Sequence, residues 1–351
     1  MRYKYFLFLI LINLLAINSA IANSDLLYFE LQGVVGYSFA PISETIYRSN
    51  NEYDVMQLNS LGIDYIKKIS YENRDFITIK TQGRIAYNEV HDKIQFQIYN
   101  LFITFKVDDG NLWIGHNRIA FGLSSYLDTH ADLLQLLPDY GFGYSRDWGT
   151  GYYIDLDNGD LKLSLTSGSG MPLVFDKKII FDSNVNDVGV DFDGEYNLLS
   201  SIRASLGVLE RDNYNVGASF MYGDVVDSMG YHFMNYKTSR IKMAAIDLSV
   251  NVDNREHRVE IDYGKMMMHM SKEREIFAGL YKFSIGFLDE NRLKLEEQVV
   301  YKKSYMDDDG RLFLGTGASY KITSDITFRT MYEYNKDEQR IACQVYVYKL
   351  F

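Results

Sequence analysis

The sequence predicts an all-β fold, a transmembrane antiparallel β-barrel, and three observations support it. Short segments of alternating apolar and polar residues recur along nearly the whole chain. The three prolines, Pro41, Pro138 and Pro172, lie outside these segments, as expected where almost every backbone N–H pairs with a neighbouring strand. The chain contains 29 Tyr and 21 Phe but 2 Trp. Tyrosine suits the two membrane–water interfaces of such a barrel.

The N-terminus predicts a cleaved signal peptide over residues 1–22. Arg2 and Lys4 form a positive region, residues 6–17 are apolar, and Ala20-Ile21-Ala22 has the small-residue spacing of a cleavage site. The alternative is a membrane-anchoring helix, but the apolar segment is shorter than the roughly 20 residues of a span. We therefore expect residues 23–351 to form a single barrel domain.

Charge and cysteine content exclude several classes of protein. Removal of residues 1–22 takes away two of the 36 basic and none of the 47 acidic residues, so the net charge becomes −13. A surface of this sign argues against a nucleic-acid partner. The single Cys343 excludes an intramolecular disulfide and a cysteine-based metal site, and we expect no metal and no cofactor.

Alternation is clearest in five segments whose apolar residues recur at every second position, opposite polar residues. The apolar faces comprise Phe29, Leu31, Val35, Tyr37 and Phe39; Ile77, Ile79, Ile85 and Tyr87; Tyr99, Leu101, Ile103 and Phe105; Phe277, Tyr281, Phe283, Ile285 and Phe287; and Ile326, Phe328, Tyr332 and Tyr334. A lipid-facing wall around a polar lumen requires this pattern. A soluble β-sandwich with its polar face outward is the alternative that the pattern leaves open.

Turn signals predict which connections are short, and the strand count stays between sixteen and eighteen. Residues 108–111 and 157–160 predict tight hairpins, whereas residues 43–54, 223–240 and 266–275 predict outer loops. Counts from the two termini disagree between Gly168 and Gly223. An extra strand at Val174–Phe181 would bring the total to eighteen. If instead two short segments in this region belong to one strand, the total is sixteen. The mature length favours sixteen.

The C-terminal segment Ile341–Phe351 resembles the closing strand of outer-membrane barrels, which ends on an aromatic residue read by the assembly machinery. Phe351 is that residue, and Cys343 falls on the lipid-facing side of the alternation. Lys349 departs from the apolar residue usual at its position. Near the periplasmic interface its aliphatic stem could lie along the wall with the ammonium group in water.

The longest interruption of the alternating pattern runs from Trp113 to Gly151. Its borders, Gly115-His-Asn-Arg-Ile-Ala-Phe-Gly122 and Arg146-Asp-Trp-Gly149, resemble the phosphate-selective (O/P-like) porin family. Members of that family share a glycine, four residues and Pro-Phe-Gly, followed later by Arg-Asp-x-Gly entering the next strand. Ala120 stands here where the family has proline. The resemblance covers some fifty residues well and the rest only in architecture.

The resemblance implies a sixteen-stranded channel whose third outer loop, about residues 118–147, folds into the lumen, and a homotrimer. The local sequence agrees, because Thr129–Asp132 has the spacing of a helix cap and four leucines follow before Pro138. Those leucines could be buried against the inner wall. An external surface loop is the alternative.

We expect charged residues near the narrow part of the pore to control the passage of solutes. The pore-lining candidates are Arg118, Asp128, His130, Asp132, Asp139, Lys80, Arg84, Lys106 and Arg203. The residues expected to anchor the loop are Gly115, Phe121, Gly122, Arg146, Asp147 and Gly149. Acidic Glu30, Glu260 and Glu333 also fall on lumen-facing positions, so we expect a weak cation preference rather than the family's phosphate selectivity.

The predicted function is passive diffusion of small hydrophilic solutes across the bacterial outer membrane, and the protein is not expected to be an enzyme. Its expected partners are outer-membrane lipids and lipopolysaccharide, the barrel assembly machinery, small solutes and copies of itself. A non-conducting barrel acting as an adhesin or structural surface protein is one alternative. The other is an outer-membrane hydrolase with His232 or His269 in outer loops. The methionines around His269 could suggest soft-metal capture, although an apolar loop explains them as well.

Overall fold

The structure is a computed structural model in which the chain forms a closed antiparallel β-barrel. It describes residues 22–40, 42–49, 55–71, 74–89, 93–126, 133–134, 146–168, 173–176, 198–209, 211–226, 238–267, 273–303 and 310–351. In these ranges the only helical elements are 3-10 turns at Val55–Gln57, Ser124–Tyr126 and Asp289–Asn291. Within the same ranges, no helix has the length and apolar character needed to cross a membrane.

Eighteen strands are present in the described residues, and sixteen of them form the wall. The strands are β1 (Ala22–Ala40), β2 (Glu44–Ile46), β3 (Ser60–Tyr71), β4 (Arg74–Asn88), β5 (Lys93–Val107), β6 (Gly110–Arg118), β7 (Arg146–Leu156), β8 (Gly159–Thr166), β9 (Leu173–Asp176), β10 (Leu199–Leu206), β11 (Tyr214–Val226), β12 (Thr238–Val252), β13 (Arg255–Met267), β14 (Arg274–Phe287), β15 (Leu293–Lys303), β16 (Arg311–Lys321), β17 (Ile326–Tyr334) and β18 (Gln339–Leu350). The short strands β2 and β9 pair only with residues 36–38 of β1 and 95–98 of β5, and they do not interrupt the pairing of the wall strands.

Each wall strand pairs with the wall strand before and after it, and β1 closes the ring by pairing with β18. The closing register runs from Tyr28 opposite Leu350 to Tyr37 opposite Ile341. Two-residue turns at 108–109, 157–158 and 253–254 lie at one end, here called the turn end. The longer connections leave from the opposite, loop end. The predicted hairpins at 108–111 and 157–160 are therefore confirmed, and the segment after Arg118 is the third loop-end connection.

The two faces of the wall differ as the alternation predicts. Large apolar side chains such as Phe29, Leu31 and Val35 are exposed on the outer face, at 37%, 39% and 49% of their surface. Their chain neighbours Glu30 and Gln32 are buried on the inner face. An apolar exterior around a polar interior is the arrangement that spans a bilayer with strands.

The predicted apolar face of β5 is wrong at Tyr99. Tyr99 was placed with Leu101, Ile103 and Phe105 on the apolar face, but it is 2% exposed while Leu101 is half-buried. The pairing of β4 with β5 shifts register between Gln82 and Gly83, which leaves Tyr99 as an extra residue in β5. A bulge of this kind redirects one side chain, and it turns the Tyr99 ring toward the inner groups described below.

The disagreement between sixteen and eighteen strands has a structural explanation at β9. Part of the suspected extra segment is indeed a strand, Leu173–Asp176, but it pairs with residues 95–98 of β5 and not with the strands adjacent to it in sequence. The wall passes directly from β8 to β10. The prediction of a sixteen-stranded barrel is therefore confirmed, and residues 177–181 of the suspected strand lie outside the described residues.

We expect the outer face of β12 to tolerate an arginine at its end but not at its middle. Ile246 is 66% exposed near the middle of the strand, and Val252 is 54% exposed at its turn end. Ile246→Arg should lower the free energy of unfolding in lipid vesicles by about 2–4 kcal/mol, and Val252→Arg by at most about 1 kcal/mol. Denaturant titration of both variants measures this. Equal losses would contradict the assignment of this face to lipid.

Candidate functional site

The candidate site is the inside of the barrel where the third loop-end connection leaves the wall. β6 and β7 remain paired up to Arg118 opposite Arg146, and Gly115 and Gly149 are register partners just below that point. The chain then turns inward, and the Arg118 guanidinium donates a hydrogen bond of 2.7 Å to the carbonyl oxygen of Tyr126. The two strands therefore part after Arg118 and before Arg146.

The first part of this connection is attached to the inner wall by hydrogen bonds from three backbone N–H groups, one at every second residue. The N–H of Ala120 donates to Ser164 Oγ at 3.0 Å, that of Gly122 to Ser219 Oγ at 3.0 Å, and that of Ser124 to Glu260 Oε2 at 2.7 Å. The Ser124 hydroxyl also donates to Glu260 Oε2, at 2.5 Å. The three acceptors come from β8, β11 and β13, so residues 119–124 cross several strands of the wall. We call residues 119–124 the inner segment.

The side chains between these anchors are apolar and buried. Ile119, Phe121 and Leu123 are 0%, 4% and 1% exposed and share one cluster with inner-face residues of β10 to β15. Burial of three such side chains contributes about 1.5–3 kcal/mol each. Gly122 lies among them with φ +63°, a left-handed conformation that only glycine adopts freely, and a Cβ there would collide with Glu260 Oε1.

A second part of the connection packs on a different part of the wall. Leu133 and Leu134 are 3% and 1% exposed and form a cluster with Met331 of β17 and Ala342 of β18. Gly315 of β16 provides space, since a Cβ there would lie 2.6 Å from Leu134 Cδ2. The connection therefore reaches across the lumen, and the prediction that the third loop folds inward is confirmed. Asp128, His130, Asp132 and Asp139 lie outside the described residues.

Arg146 and Asp147, where the connection returns to the wall, make different contacts. The Arg146 guanidinium lies over the Tyr99 ring at 5.3 Å, and its Nε donates to Asn100 Oδ1 at 3.3 Å. The Asp147 carboxylate accepts hydrogen bonds from the Ser167 hydroxyl at 3.0 Å and from the Gly168 N–H at 2.6 Å. Asp147 thereby ties the end of the third connection to the start of the fourth.

Of the wall cations proposed from sequence, three lie inside the barrel near charged partners and one does not. Arg84 pairs with Glu30, and Lys80 Nζ lies 3.6 Å from Asp64 Oδ2. Lys106 is exposed near the turn end of β5, one residue before the strand ends, and is remote from the inner segment.

Arg203, the remaining candidate, is fully buried and organises a cluster that sequence reasoning missed. Its guanidinium bonds to Asp247 Oδ1 at 2.5 Å and to Asp160 Oδ1 at 3.4 Å, and it also contacts Asn215. Tyr126, from the end of the loop's 3-10 turn, stacks over the same group at 5.7 Å. Period-2 spacing could identify these residues as lumen-facing, but not which strands they would bridge.

Sequence reasoning also missed the anchors of the inner segment. Ser164 and Ser219 are small polar residues on lumen-facing positions, and nothing in their local sequence marks them as acceptors for residues 120 and 122. Glu260 was recognised as an acidic lumen residue without a partner being assigned. The signal available was the acidic pair Glu260 and Asp262 on one face of β13.

The residues that suggested other activities are only partly described. Met266 is buried in the apolar cluster and Met267 is exposed on the outer face, which is how an alternating strand end would place them. His232, His269 and residues 268–270 lie outside the described residues. Among the residues that the structure does describe, no group of three or more His, Cys, Asp or Glu side chains is arranged to hold a metal ion.

Comparisons with known proteins relate the chain to solved outer-membrane barrels. No protein-family model and no curated protein matches it. The solved structure of OmpF from Salmonella typhi superposes with a TM-score of 0.64 at 11% identity, over 93% of this chain and 98% of that one. The anion-selective porin from Comamonas acidovorans gives a TM-score of 0.62 at 9% identity, over 94% and 100%. OmpT of Vibrio cholerae in its trimer form gives 0.61 at 11% identity, over 93% and 100%.

These similarities define the class of protein by its fold. The chain has the fold of bacterial outer-membrane β-barrels, including porins, at sequence identities low enough that only the architecture is shared. With its closed ring and apolar exterior, the protein is an outer-membrane protein. Membership of the phosphate-selective family is not shown by these comparisons.

We expect an alanine at Gly122 to loosen the inner segment. The left-handed backbone costs a non-glycine residue about 1–2 kcal/mol, and the added Cβ would displace Glu260 from Ser124. Hydrogen–deuterium exchange measured by mass spectrometry should therefore be faster for a peptide covering residues 119–126 in Gly122→Ala than in the wild type. Gly33→Ala, where a Cβ meets nothing within 4 Å, is the matched control and should leave this exchange unchanged. Unchanged exchange in Gly122→Ala would contradict the anchoring role.

Proposed function

We propose that the protein is a porin, a passive diffusion channel for small hydrophilic solutes in the bacterial outer membrane. Solutes are selected by size and by the charges at a constriction, without a cofactor or energy coupling. The observation that carries this proposal is the inner segment, which is held inside a polar-walled barrel by backbone hydrogen bonds to Ser164, Ser219 and Glu260. A loop fixed in this way narrows the lumen at a defined height.

The polar inner wall supports passage of hydrophilic solutes. Its buried side chains include Glu30, Gln32, Asp64, Gln82, Arg84, Gln97, Asn100, Asp247, Glu260, Lys282, Glu296, Gln298, Glu333 and Gln344. Many are bonded to each other, as in the chain from Asn100 through Gln82 to Glu30, with hydrogen bonds of 2.6 and 2.9 Å. Such networks hold long side chains against the wall and keep them from blocking the lumen.

The balance of charge supports a cation preference. Lys80 and Arg84 of β4 are paired with Asp64 and Glu30 of neighbouring strands, and Arg203 is paired with Asp160 and Asp247. These wall cations therefore leave little positive charge uncompensated. Together with the net charge of −13 of the mature chain, this supports a cation preference.

We do not extend the proposal to phosphate. Binding of phosphate would require basic side chains that are free to face the lumen. The buried cations Arg84, Arg203 and Lys282 are each engaged by carboxylates of the wall, and Lys282 Nζ lies 3.0 Å from Glu296 Oε1.

We propose a homotrimer surrounded by outer-membrane lipid and lipopolysaccharide. The OmpT neighbour from Vibrio cholerae is described in a trimer form, which supports the oligomer. We also propose that Phe351 is recognised by the barrel assembly machinery. Its side chain is 88% exposed, and its N–H donates to the Leu27 carbonyl at 2.8 Å, which fixes the end of β18 against β1.

A second candidate is a closed barrel that serves as an adhesin or structural surface protein. The observation that favours it is crowding of the lumen by the first loop-end connection as well as the third. Val55 is fully buried against Ala86, and its N–H donates to Gln97 Oε1 at 2.8 Å. Conductance separates this candidate from a channel.

We expect refolded protein in planar bilayers to produce stable ohmic conductance steps, and Glu260→Ala to enlarge them. The alanine removes the acceptor of both Ser124 hydrogen bonds, and each unsatisfied buried donor costs about 1–3 kcal/mol, so the inner segment should leave the wall. Glu260→Gln keeps an acceptor oxygen and should remain close to the wild type. Refolded wild-type protein that never conducts would reject the channel in favour of the closed barrel. Wild-type conductance in Glu260→Ala would show that the inner segment is not the constriction.

A further inference from the structure

We propose that a groove on the outer face of the wall binds an acyl chain of lipopolysaccharide, and that the phosphate groups of this lipid contact basic side chains at the loop end of β12. This inference rests on the proposed placement of the barrel among lipopolysaccharide and deepens it, but it does not depend on conduction. The observation that carries it is a groove of about 410 Å³ in the lipid-facing wall. A row of outward-facing residues joins this groove to Lys242.

The groove lies across β6, β7, β8, β10 and β11 and has apolar walls. Leu163, Ile202 and Phe220 are successive register partners that project outward, with 40%, 40% and 51% of their surface exposed. Thr150 and Ser200 also line the groove, and their short side chains leave space between the longer ones. The volume lies within the range of about 300–1,000 Å³ that is usual for sites of small ligands.

The chemistry of the groove favours a hydrocarbon chain over a polar ligand. The Thr150 hydroxyl donates a hydrogen bond of 2.8 Å to the carbonyl oxygen of Trp113, and the Ser200 hydroxyl donates one of 2.9 Å to that of Tyr222. Both hydroxyl hydrogens are therefore used within the wall and are not offered to a ligand. Burial of apolar surface is thus the main gain that an occupant can obtain here.

The groove lies toward the loop end of the wall, which indicates the leaflet that it faces. Thr150 and Ser200 are four residues and one residue from Arg146 and Leu199, where β7 and β10 begin at the loop end. Short turns mark the periplasmic end of outer-membrane barrels, so the loop end faces the outer leaflet. The lipid of that leaflet is lipopolysaccharide, which has several acyl chains and carries phosphate groups.

A row of register partners connects the groove to charged residues. Ser200 lies opposite Tyr222, Tyr222 lies opposite Lys242, and Lys242 lies opposite Lys265. Lys242 is therefore two strands away from Ser200, a distance of about 10 Å. A single lipid can span this distance, with a chain in the groove and a phosphate group beside Lys242.

The charged groups around Lys242 are exposed and paired only at the surface. Lys242 Nζ and Lys265 Nζ share the Glu273 carboxylate at 2.5 and 3.5 Å, and Arg240 Nε lies 2.9 Å from Asp224 Oδ1. About half of the Lys242 and Arg240 side chains is exposed, at 50% and 51%. Exposed ion pairs contribute little to stability. A phosphate group with a higher charge can therefore replace a carboxylate as the partner of these cations.

The same charges argue against a second copy of the chain as the occupant. Glu275, the register partner of Lys265, accepts the Tyr263 hydroxyl at 3.1 Å and adds a further carboxylate to this patch. A dry contact between two proteins would bury these charges at a high cost. The headgroup region of a lipid leaves them in contact with water. The arrangement thus favours lipid over protein.

Binding of rough-type lipopolysaccharide to the refolded protein in detergent micelles, measured by native mass spectrometry, tests this inference. Ser200→Phe fills the groove and should weaken binding about tenfold, since an acyl chain loses its apolar contacts there. Ala204→Phe is the matched control, because it adds the same side chain to the outer face of the same strand outside the groove, and it should leave the affinity unchanged. Phe220→Ala removes a wall of the groove and should also weaken binding.

The phosphate contact is tested by its own comparison. Lys242→Gln should lower the affinity about threefold, as expected for one exposed charge, whereas Lys303→Gln, at the loop end of β15, should not. Treatment of the lipopolysaccharide with alkaline phosphatase should abolish the difference between the wild type and Lys242→Gln but keep the effect of Ser200→Phe. Phosphatidylglycerol, with one phosphate and two acyl chains, should bind more weakly than lipopolysaccharide.

Three results would overturn the inference. They are wild-type binding by Ser200→Phe, equal weakening by Ser200→Phe and Ala204→Phe, and a change of oligomeric state in Ser200→Phe without loss of lipid binding, which would place a second copy at the groove. Conductance in planar bilayers is measured separately, and Ser200→Phe should conduct like the wild type because the groove lies outside the lumen. If the wild type never conducts but binds lipopolysaccharide through the groove, the channel proposal fails and the lipid site stands. If it conducts but its binding does not depend on the groove, the lipid site fails and the channel stands.

Discussion

Pairing of the backbone in an environment without water is the constraint on which this structure depends. Every backbone N–H and C=O in the bilayer core needs a hydrogen-bond partner within the protein. A sheet that spans a membrane therefore cannot leave an edge strand unpaired. The long register between β1 and β18, from Tyr28 to Tyr37, closes the ring. The apolar exterior and the polar interior follow from that closure, because successive side chains then point alternately to lipid and to the lumen.

The same constraint explains how the barrel accommodates an inward loop. Where the chain leaves the wall after Arg118, β6 no longer covers the loop-end half of β5, and β6 pairs only with Leu101–Val107. The fourth connection returns to that edge, and Leu173–Asp176 pairs with residues 95–98. Asp147 joins the two connections by accepting hydrogen bonds from Ser167 and Gly168. In the inner segment, the N–H groups of residues 120, 122 and 124 take Ser164, Ser219 and Glu260 as acceptors in place of a neighbouring strand.

Charge in the lumen follows from the limited set of donors that the wall supplies. Long cations such as Arg84 and Arg203 are held by two or more acceptors, which immobilises them and cancels their charge locally. Asp262 lies opposite Ala245 and Ala278, and its Oδ1 accepts no hydrogen bond, so no basic side chain of the described wall strands compensates this carboxyl group.

The sequence by itself predicted a β-barrel, most of its outward-facing residues and the hairpins at 108–111 and 157–160. These follow from period-2 alternation and from local turn chemistry, which act over a few residues. The inward course of the third connection was implied only by the family resemblance, and an external loop stayed open as the alternative. The sequence could not determine sixteen against eighteen strands or the exceptional direction of Tyr99, because β9 pairs with a strand some eighty residues earlier and a bulge leaves no mark in the alternation. Nor could it show that the N–H groups of residues 120, 122 and 124 donate hydrogen bonds to three separate strands, or that Asp262 Oδ1 accepts no hydrogen bond. Those facts depend on which side chains the closed ring brings face to face, and only the tertiary structure decided them.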